Sequence, residues 1–268
     1  MIRRTDLAIE NHNPDNTEGV LVDTKNNDKT IVTTVKIETE SAKNRFNKPI
    51  GTYVTIKCSD ILNDTECYEE AVDELSGVLD SFIKTNGNVL VIGLGNRQIT
   101  PDSLGPSAID RVFVTNHIKD QLKYDFVEKL GRISALAPGV LGTTGMESFE
   151  IIKGVTERVK PDCLIVIDAL CALEKENLGT TVQVSDTGLT PGGGVKNRRN
   201  EISMDTIGIP VISVGVPTVI DSSEDEYLFL TPKDIDLILD RMSKTIANGI
   251  NKAVHKNLTV EEIESYIG

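Results

Sequence analysis

Two aspartates close apolar runs that read as buried strands. Asp102 comes shortly after Asn88-Val-Leu-Val-Ile-Gly-Leu-Gly95-Asn96, and Asp168 directly follows Cys163-Leu-Ile-Val-Ile167. Carboxylates at the carboxyl ends of parallel strands converge on the crevice where open α/β sheets place their chemistry. A pair there can share a proton or divide acid and base roles, one pKa being raised by the other's charge, and so activate water against a peptide bond. The same oxygens can equally hold a divalent cation, and the spacing leaves both open. Taken alone, Asp102 after Pro101 has its commonest explanation as the N-cap of a helix beginning near Leu104. An ionisable group set directly after Leu-Ile-Val-Ile must be either satisfied or functional, so Asp168 is harder to explain structurally.

The Gly93-Leu-Gly95-Asn96 turn invites a phosphate-cradling reading, but the third glycine of a dinucleotide fingerprint is replaced by Gln98, and Pro101 and Pro106 intrude. The turn then either permits close packing or shapes a cleft beside Asp102. Asp186, in Ser185-Asp-Thr-Gly188, follows a strand and suits an Asx-turn. Gly192-Gly193-Gly194-Val-Lys196-Asn-Arg-Arg199 is a glycine loop followed by three cations, either holding substrate or solvated. Gly95, Asn96, Asp186, Gly193 and Lys196 are the candidate substrate contacts. No HExxH or GxSxG string occurs. Cys58, Cys67, Cys163 and Cys171 lack both CxxC pairs and the spacing of a disulfide framework, which argues against metal clusters and secreted scaffolds.

These residues need a frame that 268 residues, 39% of them hydrophobic, can supply as one large α/β domain. The first thirty residues are polar and read as an irregular leader. Alternation in Thr30–Ile37 and Thr52–Lys57 predicts antiparallel strands at a sheet edge. Apolar spacing from Ala71 to Phe82, after Asp64-Thr-Glu66, predicts a helix. Val89–Gly93 reads as a buried strand, and a helical period returns from Leu104 to about His117. Ile133–Ala137, Cys163–Ile167, Thr180–Val184 and Val211–Gly215 read as further strands. A helix beginning near Met146 is stopped by Pro161, and one long amphipathic helix runs from Pro232 to about His255. Strands alternating with helices predict a mostly parallel sheet covered on both faces, with antiparallel edge strands. The formal charge of −13 argues against direct binding of nucleic acid, and no run is long and apolar enough to span a membrane, so a soluble intracellular protein is expected.

Together the strings resemble the germination protease family of spore-forming bacteria. They are Arg4-Thr-Asp-Leu-Ala8, Gly93-Leu-Gly-Asn96, Thr100-Pro-Asp-Ser-Leu-Gly-Pro106, Ala137-Pro-Gly-Val-Leu-Gly-Thr-Thr-Gly-Met-Glu147, Val166-Ile-Asp-Ala-Leu170, Ser185-Asp-Thr-Gly188, the run from Gly208 to Asp221, and Leu230-Thr-Pro-Lys-Asp234. The resemblance implies an atypical aspartic-type endopeptidase with a fold similar to hydrogenase maturation proteases, and it places the catalytic roles on Asp102 and Asp168. It implies small acid-soluble spore proteins as substrate and partner, cut after an acidic residue and before an apolar one during germination, in the cytoplasm of the forespore and spore core. It also implies a homotetramer made as a zymogen: Thr5-Asp6-Leu7-Ala8 looks like the family's processing site, so residues 1–6 would be a propeptide cut between Asp6 and Leu7, and 7–268 the peptidase domain. No cofactor is expected. The hydrogenase-processing enzymes hold a metal with carboxylates and a His, whereas this chain has no His near Asp168. The alternatives are a metal-dependent peptidase of that type and a non-catalytic spore-protein binder. One departure from the family stands out: only Ser222 to Phe229 separate Asp221 from Leu230, where relatives carry a longer segment.

Overall fold

The computed structural model describes residues 5–12, 17–83, 87–121, 130–191, 200–221 and 229–267. Gly193, Lys196 and most of the shortened segment after Asp221 lie outside them. The chain forms β1 (Val20–Asn26), β2 (Ile31–Ile37), α1 (Glu40–Phe46), β3 (Gly51–Lys57), α2 (Thr65–Phe82) and β4 (Asn88–Gly93). A 3-10 turn (Thr100–Asp102) precedes α3 (Leu104–Ile109), α4 (Asn116–Gln121), β5 (Arg132–Leu136), α5 (Leu141–Thr144), α6 (Ser148–Val159), β6 (Cys163–Ala172) and β7 (Thr181–Ser185). The path ends with α7 (Met204–Ile207), β8 (Val211–Asp221), β9 (Phe229–Leu230), α8 (Ile235–Val254) and α9 (Val260–Ile267).

These strands form one sheet in the order β1-β2-β3-β7-β8-β6-β4-β5, with β9 paired to β8. The core strands β8, β6, β4 and β5 are parallel, while β1, β2, β3 and β7 run antiparallel to their neighbours. This is the α/β class, with a parallel core and antiparallel edge strands. Apolar runs without alternation, such as Cys163–Ile167, are buried on both sides because helices cover both faces. On the first face, Ile165, Ile167, Ile212 and Val214 pack under α2 and α8. On the second, Leu90, Ile92, Leu164 and Val166 pack with Ile152 of α6. Asp64 starts α2 as its N-cap, accepting from the N–H groups of Glu66 and Cys67. Among the described residues, no helix is long and apolar enough to cross a membrane.

Several expectations are corrected. The polar leader contains β1, whose residues beyond Val20 are mostly exposed on both sides and therefore carry no apolar period; its ladder with β2 holds it. The helix expected from Leu104 to His117 is two helices, because Asn251 of α8 bonds the backbone between them, accepting from Phe113 N–H and donating to the Arg111 carbonyl. β6 and β8 run well past Ile167 and Gly215, since they continue to pair with each other. Cys58 and Cys67 are joined as a disulfide between the end of β3 and the first turn of α2, although their spacing suggested no pairing. Cys163 and Cys171 are buried and form no disulfide among the described residues.

Candidate active site

The site forms where β4 stops and β6 continues. β4 pairs with β6 as far as Ile167, and the Leu94 N–H donates to the Ile167 carbonyl, so Asp168 is the first residue of β6 beyond that partner. It is the sixth residue of a ten-residue strand, and not the last of one. Its parity with Leu164 and Val166 turns the side chain to the second face. Asp168 is 9% exposed, and its Oδ1 accepts from the Ala169 N–H at 2.9 Å.

Asp102 arrives from the neighbouring loop. The turn carrying it packs against β6, and its Oδ2 accepts from the Asn96 N–H at 2.8 Å. The N-cap of α3 is Ser103, without a side-chain cap bond, so Asp102 does not serve as the cap that its position after Pro101 suggested. Glycines permit the close approach. Gly95 has φ 116°, and a Cβ there would collide with the Asp102 carbonyl oxygen. Gly93 and Gly105 interlock in the same way, each lacking the Cβ that would strike the other's segment. The glycine turn therefore both packs tightly and sets the height of Asp102.

Both aspartates line one cavity of about 1680 Å³ on the second face. Gly95 and Asn96 also line it; the Asn96 N–H is already committed to Asp102, and its Oδ1 accepts from the Gln98 N–H. Asp186 is not on its wall: the carboxylate accepts from the Thr52 N–H at 2.8 Å and so extends the β3–β7 ladder. Asp6 is on the wall, and Leu7 is fully buried. The Asp6 N–H donates to the Cys171 carbonyl, its Oδ2 accepts from the Cys171 N–H, and its carbonyl accepts from Gln183 Nε2. Gln183 Oε1 in turn accepts from the Ala8 N–H at 2.7 Å. Glu10 fastens the same segment by accepting from the N–H groups of Leu173 and Glu174.

Sequence reasoning missed the rest of the wall. Ser185 and Ser213 hydroxyls meet at 2.8 Å, and Ser185 also meets Thr187 at 3.0 Å. Tyr53 donates to the Pro49 carbonyl, and burial holds its phenol above the usual range. The polar positions alternating with Val182 and Val184 were a visible signal for Gln183 and Ser185. Lys48 and Arg45, also on the wall, carried none. Burial, with Asp6 nearby, pushes the Cys171 thiol up to about 12, so it stays protonated at neutral pH and is not a nucleophile. Among the described residues, no cluster of three or more His, Cys, Asp or Glu side chains is arranged to hold a metal. The chemistry of the wall is that of carboxylates, hydroxyls and amides, with the cations Arg45 and Lys48.

The germination protease family model matches residues 1–226. The germination protease of Clostridium acetobutylicum is 38% identical over 324 residues, covering 98% of this chain and 98% of that protein. The Caldanaerobacter subterraneus germination protease is 34% identical with the same coverage of both, 98%. The Bacillus cereus germination protease is 39% identical over 261 residues, covering 92% of this chain and 69% of that one. Among solved structures, a [NiFe] hydrogenase maturation protease from Thermococcus kodakarensis is similar at TM-score 0.42 and 19% identity, over 66% of this chain and 98% of that one. With a family match across most of its length and relatives alignable almost end to end, the chain belongs to the germination protease family and is a peptidase.

Proposed function

We propose that this spore-germination endopeptidase begins the degradation of small acid-soluble spore proteins, cutting after an acidic residue and before an apolar one, with Asp102 and Asp168 as its catalytic pair. The observation that carries the reading is convergence: two carboxylates from elements far apart in the sequence line one cavity large enough for an extended peptide. One carboxylate, ionised, takes a proton from water as the water oxygen bonds to the carbonyl carbon. The other, protonated, donates to the nitrogen as the carbon–nitrogen bond breaks. Two carboxylates that share one reaction titrate as a pair, so the activity should follow two apparent pKa values that belong to both.

The chain is further proposed to process itself between Asp6 and Leu7. Asp6 lines the same cavity as the aspartates, which supports an intramolecular cut. N-terminal sequencing of matured protein should then read Leu-Ala-Ile, and a mature chain still beginning at Met1 or Ile2 would sink the self-processing step.

The test is digestion of a purified small acid-soluble spore protein by wild type, Asp102→Asn and Asp168→Asn, with and without a chelator. Both variants should leave the substrate intact while keeping the wild-type circular dichroism spectrum. Full activity in either removes that residue from the mechanism, and activity lost to the chelator favours a metal-assisted peptidase.

A further inference from the structure

The cavity wall also carries cations, in a chain whose formal charge is −13. Arg45, in the last turn of α1, and Lys48, just after it, both line the cavity. Lys25, Lys29 and Lys252 each sit against a carboxylate on the surface. Among the described residues, no carboxylate lies within ion-pair distance of Arg45 or Lys48. Arg45 is held by the Glu18 carbonyl at 2.7 Å and lies 5.7 Å over the Phe46 ring, and its buried Nε has no partner among the described residues. Lys48 is half-buried, and burial lowers its ammonium pKa against the pull of Asp6 and Glu10. A partly desolvated ammonium without a paired anion is costly, and an arriving carboxylate relieves that cost.

The chain itself displays how an acidic residue can sit in the same cavity as these cations. Beyond β4, the free edge of β6 offers the N–H and carbonyl of Cys171, and both are engaged by Asp6, its carboxylate on the N–H and its own N–H on the carbonyl. Gln183 holds the carbonyl of that same residue. The arrangement imitates one rung of strand addition to an open edge, with the Asp6 carboxylate standing where a backbone carbonyl would accept.

We infer that Lys48, backed by Arg45, is the specificity-determining cation of the site and receives the carboxylate of the peptide residue that precedes the bond cut, inside the cavity whose wall it shares with Asp6. The inference rests on the proposed endopeptidase reading and supplies its missing selector.

The test uses the full chain carrying Asp6→Ala, which removes the resident carboxylate, and Asp102→Asn, which blocks turnover. Fluorescence anisotropy follows a fluorescein-labelled heptapeptide with a single Glu ahead of Leu-Ala, and the same peptide with Gln or Lys at that position. With Lys48 present, the Glu peptide should bind roughly tenfold or more tightly than the Gln peptide, as expected for one charge-assisted bond. Lys48→Met should erase the difference, Lys48→Arg should keep it, and Lys48→Glu should turn the preference towards the Lys peptide. No binding of any peptide, or a Glu preference that survives Lys48→Met, overturns the inference. The same peptides given to the chain with Asp102 restored separate the two readings. Discrimination without cleavage removes the endopeptidase reading and leaves the subsite, while cleavage with a preference indifferent to Lys48 does the reverse.

Discussion

On the first face of the sheet, Ile165, Ile167, Ile212 and Val214 meet Leu75 and Leu79 of α2 and Met242 and Ile246 of α8, all buried in one apolar cluster. On the second face, the apolar cover ends with α6 over β4 and the start of β6. Across β8, β7 and β3 the same face carries Ser213, Ser185, Gln183 and Tyr53 around the cavity. One strand serves both, because side chains alternate with period two. In β8, Ile212 and Val214 belong to the first face while Ser213 faces the cavity. Stability and chemistry are thus divided by residue parity, and a substitution one position along a strand should move a measurement from one category to the other.

The largest effect should come from the covered face. Ile212→Ala removes a fully packed side chain between β8 and the helices and should cost about 2–5 kcal/mol in urea unfolding. Activity per folded molecule should hardly change; a loss below about 1 kcal/mol would deny this face its role as the stability core.

Acid should strike next, and outside both faces. His255 is fully buried, its Nδ1 accepting from the Gly131 N–H and its Nε2 donating to the Phe113 carbonyl. Burial lowers its pKa from 6.5 to about 4. The unfolded chain takes the proton near 6.5 and the folded chain only near 4, so this contribution is complete above 6.5 and lost as the pH falls towards 4. The loss should approach about 3 kcal/mol, read from urea midpoints at neutral and mildly acid pH, and His255→Gln should flatten the slope. An acid slope unchanged in that variant would assign it to other groups. With it flattened, the acid limb of the activity profile reports the aspartate pair without unfolding beneath it.

The legibility of the chain follows the same division. The strings that build the parallel core, Val89–Gly93, Cys163–Ile167 and Val211–Gly215, are buried on two sides and announce themselves by unbroken apolar character. Asp168 was visible because it interrupts such a run. That it lies inside a strand and not at its end was not visible, since the crevice exists only because β4 stops at Gly93, a fact of pairing between segments far apart. The break between α3 and α4 is likewise made by Asn251, remote in sequence. Lys48 shows no period and no motif, and it gains meaning only when the fold brings it to the cavity that Asp168 also lines.

Gly95→Ala tests the second face at the point where backbone geometry sets Asp102. Its φ of 116° and the blocked space beside the Asp102 carbonyl require the loop to shift. A displacement of about 1 Å should lower kcat about a hundredfold, while the unfolding free energy falls by about 1–3 kcal/mol from local strain. Retained kcat would show that the glycine turn packs the loop without setting the height of Asp102.

The smallest effect should fall one residue from the largest. Ser213→Ala removes one hydroxyl from the Ser185–Ser213 bond, and Ser185 keeps Thr187 as a partner, so no buried polar group is stranded. The cost should be about 1 kcal/mol, and the coupling of Ser213→Ala with Ser185→Ala in a double-mutant cycle should be of the same size. Ile212→Ala beside it should cost several times more, because its side chain enters the helix-covered cluster while that of Ser213 enters the cavity. Equal costs for the two neighbours would show that the second face is as tightly built as the first, and would remove parity as the device separating stability from chemistry in this sheet.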